Sequence, residues 1–125
     1  MSKAIIGITD WERTKAELGA LARRLDAGAP VAPGDYHLGF ANAALLLAEL
    51  PPKRLQVLRG IKAAGAVSIY AVAKALGRNY SNVHADVHKL IEHGLVERDA
   101  RGLVSVPWDD VVVQVNASLL EPAAA

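Results

Sequence analysis

Apolar residues along the chain change period several times, and each change marks a predicted element. In Ala4-Ile-Ile-Gly-Ile-Thr9 the β-branched residues run together and stop at Asp10, a pattern for a short strand followed by a helix N-cap. Trp11, Thr14, Leu18, Leu21, Ala22 and Leu25 then recur at helical spacing with charges on the other faces, predicting a helix over residues 11–27 that Gly28 and Pro30 stop. After a turn-rich connector, Tyr36, Leu38 and Phe40 alternate with His37 and Gly39 as in a half-buried strand, and residues 41–50 read as a helix. Pro51 and Pro52 restart the chain. A proline is well tolerated in a first helical turn, so Pro52 opens a helix carrying Leu55, Val57, Leu58 and Ile61, which Gly65 ends. Ser68 is a good N-cap for a helix over residues 69–76, with Gly77 supplying the tight turn behind it, and a further helix runs over residues 81–93 to Gly94. Leu95-Val-Glu-Arg98 and Leu103-Val-Ser-Val106, joined by Asp99-Ala-Arg-Gly102, read as a hairpin. Val111-Val-Val-Gln-Val115 is strongly β-prone.

Three helices followed by a hairpin is the order of a winged helix-turn-helix. The expected fold class is therefore α+β, with that unit over residues 51–107, a strand-helix-strand extension over residues 1–50 and a C-terminal strand with a fraying tail over residues 108–125. Two placements of the last strand stay open. It joins residues 5–8 and 36–40 in a small sheet outside the winged helix, one that two subunits can share, or it adds a third strand to the wing. In this layout residues 1–50 are the dimerisation or partner surface.

Length and composition narrow the function classes. A chain of 125 residues suits one compact unit with its own core. No window holds the roughly 18 uninterrupted apolar residues of a membrane span, and Asp10, Glu12 and Arg13 stand where a signal peptide would be apolar, so a cytoplasmic protein is expected. Zero cysteines remove disulfides, thiol nucleophiles and thiolate metal sites. The net charge of +1 conceals an asymmetry: Pro51 to Gly102 holds nine Lys and Arg against four acids, whereas the remainder holds five against nine. A basic segment within a near-neutral chain is the footprint of a face that meets a polyanion.

The candidate chemistry falls in that segment. On the helix after Gly77, Val83, Val87, Leu90 and Ile91 form an apolar stripe suited to pack on Ile69, Val72, Ala73 and Leu76, leaving Ser81, Asn82, Ala85, His88, Lys89 and Glu92 on the other side. Asn79, Ser81, Asn82 and Ala85 are expected to read base edges, because the N-terminal residues of a recognition helix reach deepest; Ala85 offers only contact with a thymine methyl. His88 can donate to and accept from bases, and Arg78 and Lys89 suit phosphates or guanines. Lys53 and Arg54 at the start of the first helix, and Arg98 and Arg101 on the wing, complete the expected DNA contacts. His84 and His88 are one helical turn apart, but without cysteines the expectation is a packed His84, an outward His88 and no metal. No nucleophile, base and orienting group assemble, so neither an enzyme nor a cofactor is expected.

Pro52-Lys53-Arg54-Leu55, Ser68-Ile69-Tyr70-Ala71-Val72-Ala73, Leu76-Gly77-Arg78-Asn79-Tyr80-Ser81-Asn82-Val83-His84, Asp86-Val87, Leu90 and Gly94-Leu95-Val96-Glu97 together resemble the small prokaryotic winged-helix regulators grouped near the MarR family. The resemblance extends to the preceding strand-helix-strand portion and to Pro107-Trp108-Asp109 with the strand after it. It implies a DNA-binding transcriptional regulator, and the basic helix-turn-helix plus wing leads to the expectation of a homodimer that acts on double-stranded DNA and regulates its own operon. It also implies an alternative, an antitoxin or protein-interaction module whose main partner is a neighbouring toxin protein. Such proteins commonly carry a basic residue where this chain has Ala85.

Overall fold

The computed structural model describes residues 2–8, 19–20, 34–115 and 120. Gly19 and Ala20 are helical; the rest of the helix expected over residues 11–27, the Asp10 cap and the tail at residues 121–125 lie outside the described residues. The elements in chain order are β1 (Lys3–Ile8), β2 (Tyr36–Phe40), α1 (Ala43–Glu49), α2 (Pro52–Ala64), α3 (Ile69–Leu76), α4 (Tyr80–Glu92), β3 (Glu97–Arg98), β4 (Val104–Ser105) and β5 (Asp110–Gln114). The architecture is α+β. Where length alone predicted one compact unit, the chain divides into two: Met1–Leu46 with Asp110–Ala125, and Leu47–Asp109.

The first unit is built on parallel pairing. β1 is central, with β2 on one side and β5 on the other, in registers that set Ile6 beside Leu38 and Val113. Alternation sorts the side chains: Ala4, Ile6 and Phe40 point to one face and are buried. Of the two placements open for the last β-prone run, the sheet shared with β1 and β2 is the one adopted. Gly7 permits it, because a Cβ there would lie 2.9 Å from the backbone oxygen of Gln114 on β5. Asn42 caps α1, its Oδ1 accepting from the Leu45 N–H at 2.8 Å.

In the second unit each helix begins and ends on a residue suited to the task. Pro52 occupies the first turn of α2, and Gly65 closes that helix through its N–H to the Ile61 carbonyl. The Ser68 hydroxyl accepts from the Ala71 N–H at 3.1 Å, capping α3. Gly77 ends α3 in the left-handed region (φ 63°), which lets the chain turn directly into α4. The three helices pack around Val57, Leu58 and Ile61 of α2, Ile69, Val72 and Ala73 of α3, and Val83, Val87 and Leu90 of α4, all buried. Ile91, expected in the stripe of α4, and Leu76, expected to pack against it, are only half-buried.

The hairpin is shorter than expected. Its ladder comprises two residue pairs, Glu97 with Ser105 and Arg98 with Val104, while Leu95 and Val96 are drawn into the interior. The third partner of this ribbon is Val67, between α2 and α3. Its N–H donates to the Val104 oxygen at 3.0 Å, and the Val104 N–H returns the bond at 2.8 Å. Asp99 builds the turn, its Oδ1 accepting from the N–H groups of Arg101 (2.8 Å) and Leu103 (3.0 Å). Beyond the hairpin the Trp108 indole N–H donates to the Gly94 carbonyl at 3.0 Å, and Lys62 Nζ donates to the Trp108 carbonyl at 2.6 Å. No helix among the described residues is long and apolar enough to cross a membrane.

The turn between α3 and α4 gives a clean stability test. Nothing lies within 4 Å of a Cβ built on Gly77, so a substitution there meets only the cost of a positive φ. Gly77→Ala should destabilise the protein by about 1 kcal/mol in urea titration, and Gly77→Asn by clearly less, because asparagine tolerates this region.

Candidate nucleic-acid interface

α4 is two-faced because its apolar residues recur every three or four positions. Val83, Val87 and Leu90 are fully buried, and Ser81, Asn82, Ala85, His88 and Lys89 are exposed on the other side, as the sequence pattern predicted. The helix starts on Asn79. Its Oδ1 accepts from the Ser81 N–H at 2.8 Å and the Asn82 N–H at 3.4 Å. Asn79 was expected to read bases; the structure uses its side-chain oxygen to satisfy the first turn of α4.

Asp86 is the residue that the sequence pattern did not single out. It interrupts the apolar stripe and is buried, its side chain only 12% exposed. A carboxylate taken out of water needs compensating partners. Arg54 Nε donates to Asp86 Oδ1 at 3.1 Å, and Arg78 Nη1 lies 3.0 Å from Oδ2. That second contact has the distance of an ion pair without the angles of a hydrogen bond, so Oδ2 is held by charge alone. The two guanidinium groups also donate to main-chain carbonyls, Arg54 to Glu49 and Arg78 to Lys53. Asp86 thereby ties α4 to the start of α2 and to the turn behind α3. Arg54 and Arg78, expected as DNA contacts, are half-buried and have their guanidinium groups turned onto this carboxylate, where they brace α4.

Other expected positions are rearranged too. His84 is exposed rather than packed: it lies just past the stripe of Val83, Val87 and Leu90, and its ring sits 5.8 Å from that of Tyr80 at 45°. Tyr80 itself is 49% exposed and was not among the expected contacts, although a bulky aromatic in the first turn of a polar helix face was a visible signal. His88 Nε2 and Lys89 Nζ both approach Glu92, at 3.3 and 3.4 Å. His93, the C-cap residue of α4, meets Glu49 at 3.2 Å. No group of three or more His, Cys, Asp or Glu able to hold a metal ion occurs among the described residues. Lys53, Arg98 and Arg101 are exposed, and the Arg98 guanidinium lies over Gly102 in the hairpin turn.

Setting aside the paired Arg54, Arg78 and Asp86, the segment from Pro51 to Gly102 keeps seven bases and three acids, so the charge excess does not depend on this network. The sequence profile of the HVO_A0114 family matches residues 49–113, just over half of the 125-residue chain. The chain belongs to the HVO_A0114 family. The matched span takes in α2, α3, α4, the hairpin and most of β5, and with them Asp86 and both of its arginine partners. No curated protein and no solved structure matches the chain.

Removing Asp86 should be among the most damaging changes in this HVO_A0114 unit. Asp86→Ala leaves two largely buried guanidinium groups facing each other and should cost about 3 kcal/mol in urea titration. Arg78→Ala should cost less, since Arg54 continues to neutralise the carboxylate.

Proposed function

We propose that residues 47–109 form a winged helix-turn-helix through which the protein, as a homodimer, binds specific double-stranded DNA and regulates transcription, its own operon included. The observation that carries this reading is the exposed polar face of α4, set on a helix whose other face is fully buried and whose angle is braced by the Arg54–Asp86–Arg78 network. A helix-turn-helix requires that combination, because a recognition helix must project side chains into the major groove from a rigid base.

The roles divide by position. Ser81, Asn82 and Ala85 stand on the first two turns of α4, where base edges are within reach. Asn82 is the residue best equipped to discriminate, since an amide side chain matches the donor and acceptor of adenine in the major groove. Lys53 and the hairpin arginines, Arg98 and Arg101, supply charge for the phosphates on either side, the hairpin lying beside the backbone or in the minor groove. Two copies related by a two-fold axis would address half-sites about 34 Å apart. The resemblance to MarR-type regulators supports the same reading.

Footprinting on the DNA upstream of the gene, combined with binding measured across a salt series, tests the proposal. A protected, salt-sensitive site is the expected result. Arg101→Ala should weaken binding to all sequences and flatten the plot of log affinity against log salt by about 0.9 for each phosphate no longer neutralised. Asn82→Ala should instead relax discrimination at one base pair per half-site, by about 1–3 kcal/mol. Absence of salt-sensitive binding to any duplex, the upstream DNA included, sinks the reading.

A further inference from the structure

The exposed face of α4 is unevenly charged along its length. Its first half carries Tyr80, Ser81, Asn82, His84 and Ala85, with no acid facing solvent. Its second half carries His88, Lys89 and Glu92, and there a single carboxylate spans two basic side chains, one per oxygen: Oε1 lies 3.3 Å from His88 Nε2, and Oε2 lies 3.4 Å from Lys89 Nζ. Residues three and four apart on a helix are neighbours, so this arrangement follows from the spacing. Helix stability does not account for it. Glu92 is the last residue of α4, where the helix dipole disfavours a negative charge, and an exposed ion pair contributes little to folding.

We infer that Glu92 limits the DNA affinity of α4 by occupying His88 and Lys89, so that recognition is confined to the first two turns of the helix. The inference rests on the DNA-binding reading above. To reach a phosphate, Lys89 must leave Glu92, and the released carboxylate then stands among the phosphates it repels. Glu92 therefore opposes binding twice, by competing for the cation and by adding negative charge at the interface. Of the candidate contacts on α4, His88 and Lys89 contribute least in the wild-type protein, and the deeper N-terminal residues carry the choice of sequence. A sequence-independent hold that stays weak raises the share of binding that depends on sequence.

The test measures fluorescence anisotropy of two labelled duplexes, the DNA upstream of the gene and a mixed-sequence control, across a salt series. It uses the full-length wild type, Glu92→Gln, Lys89→Ala and the double variant. Glu92→Gln should tighten binding to both duplexes by about three- to tenfold and steepen the salt dependence by about 0.9 for each copy of α4 on the DNA. Its melting temperature should stay level or rise. Lys89→Ala should abolish the gain in the Glu92→Gln background, since the cycle isolates the coupling. Unchanged affinity of Glu92→Gln overturns the inference. So does weaker binding confined to the upstream duplex, which would make Glu92 a reader of a cytosine amine. Failure of the wild type to bind either duplex is a distinct outcome that overturns the DNA-binding reading and this inference together.

Discussion

A single buried carboxylate sets the geometry of the helical unit. Asp86 sits where the repeat of Val83, Val87 and Leu90 leaves room on the inner side of α4, so its charge enters the interior along with them. An isolated carboxylate in that position would be costly enough to break the packing. Arg54 arrives from α2 and Arg78 from the turn behind α3, and each spends further donors on a main-chain carbonyl near the start of α2. Apolar contacts tolerate some sliding and rotation. Two guanidinium groups meeting one carboxylate at about 3 Å do not, because a small displacement leaves charge buried without its partner. Core packing supplies the drive to bring α2, α3 and α4 together, and the Asp86 network restricts how they meet.

The second constraint is the return of Val104 to Val67. Without that pair of hydrogen bonds the hairpin would be a two-residue ladder, too short to hold its own orientation. With it, the strand after the turn is tied to the segment between α2 and α3. The side chain of Trp108 and the amine of Lys62 fasten the following residues in the same way. A turn organised by Asp99 then presents Arg98 and Arg101 from a fixed base.

Much of this was legible in the sequence because the signals are local. Ser68 as a cap, Pro52 in a first turn, Gly65 and Gly77 as helix stops, and the α4 stripe all depend on residues within a turn or two of one another. The three β-prone runs were legible as strands, but their shared parallel sheet stayed one of two open arrangements, since β-propensity says nothing about partners. The Asp86 network was hidden for the same reason: Arg54 lies 32 positions away, and a helical wheel cannot distinguish an acid at the edge of an apolar stripe that is paired from one that is solvated. The pairing of Arg54 and Arg78 was therefore not foreseen. The capping role of Asn79 was not foreseen because capping and base recognition favour the same residue type at the same end of a helix. His84 was placed inside because it flanks the apolar stripe on the helix, whereas the buried side is fixed more narrowly by Val83, Val87 and Leu90 together.

Ion pairing within the unit changes what a count of basic residues means for this chain. The two carboxylates of α4 that engage bases act on opposite sides of the helix: Asp86 holds Arg54 and Arg78 inside, and Glu92 holds His88 and Lys89 outside. These four basic side chains are thus engaged before any polyanion arrives, and of them the outer two are solvent-exposed enough to be released; Arg101, 3.9 Å from Asp99, is more exposed still. In the proposed reading, electrostatic attraction comes chiefly from Lys53, Arg98 and Arg101, at the edges of the unit rather than along the recognition helix. In that reading the first two turns of the helix face the groove with mostly uncharged side chains. In the same reading a cation at position 85 would add a sequence-independent grip to the part of α4 proposed to discriminate, whereas the methyl group of Ala85 can respond only to the base opposite it.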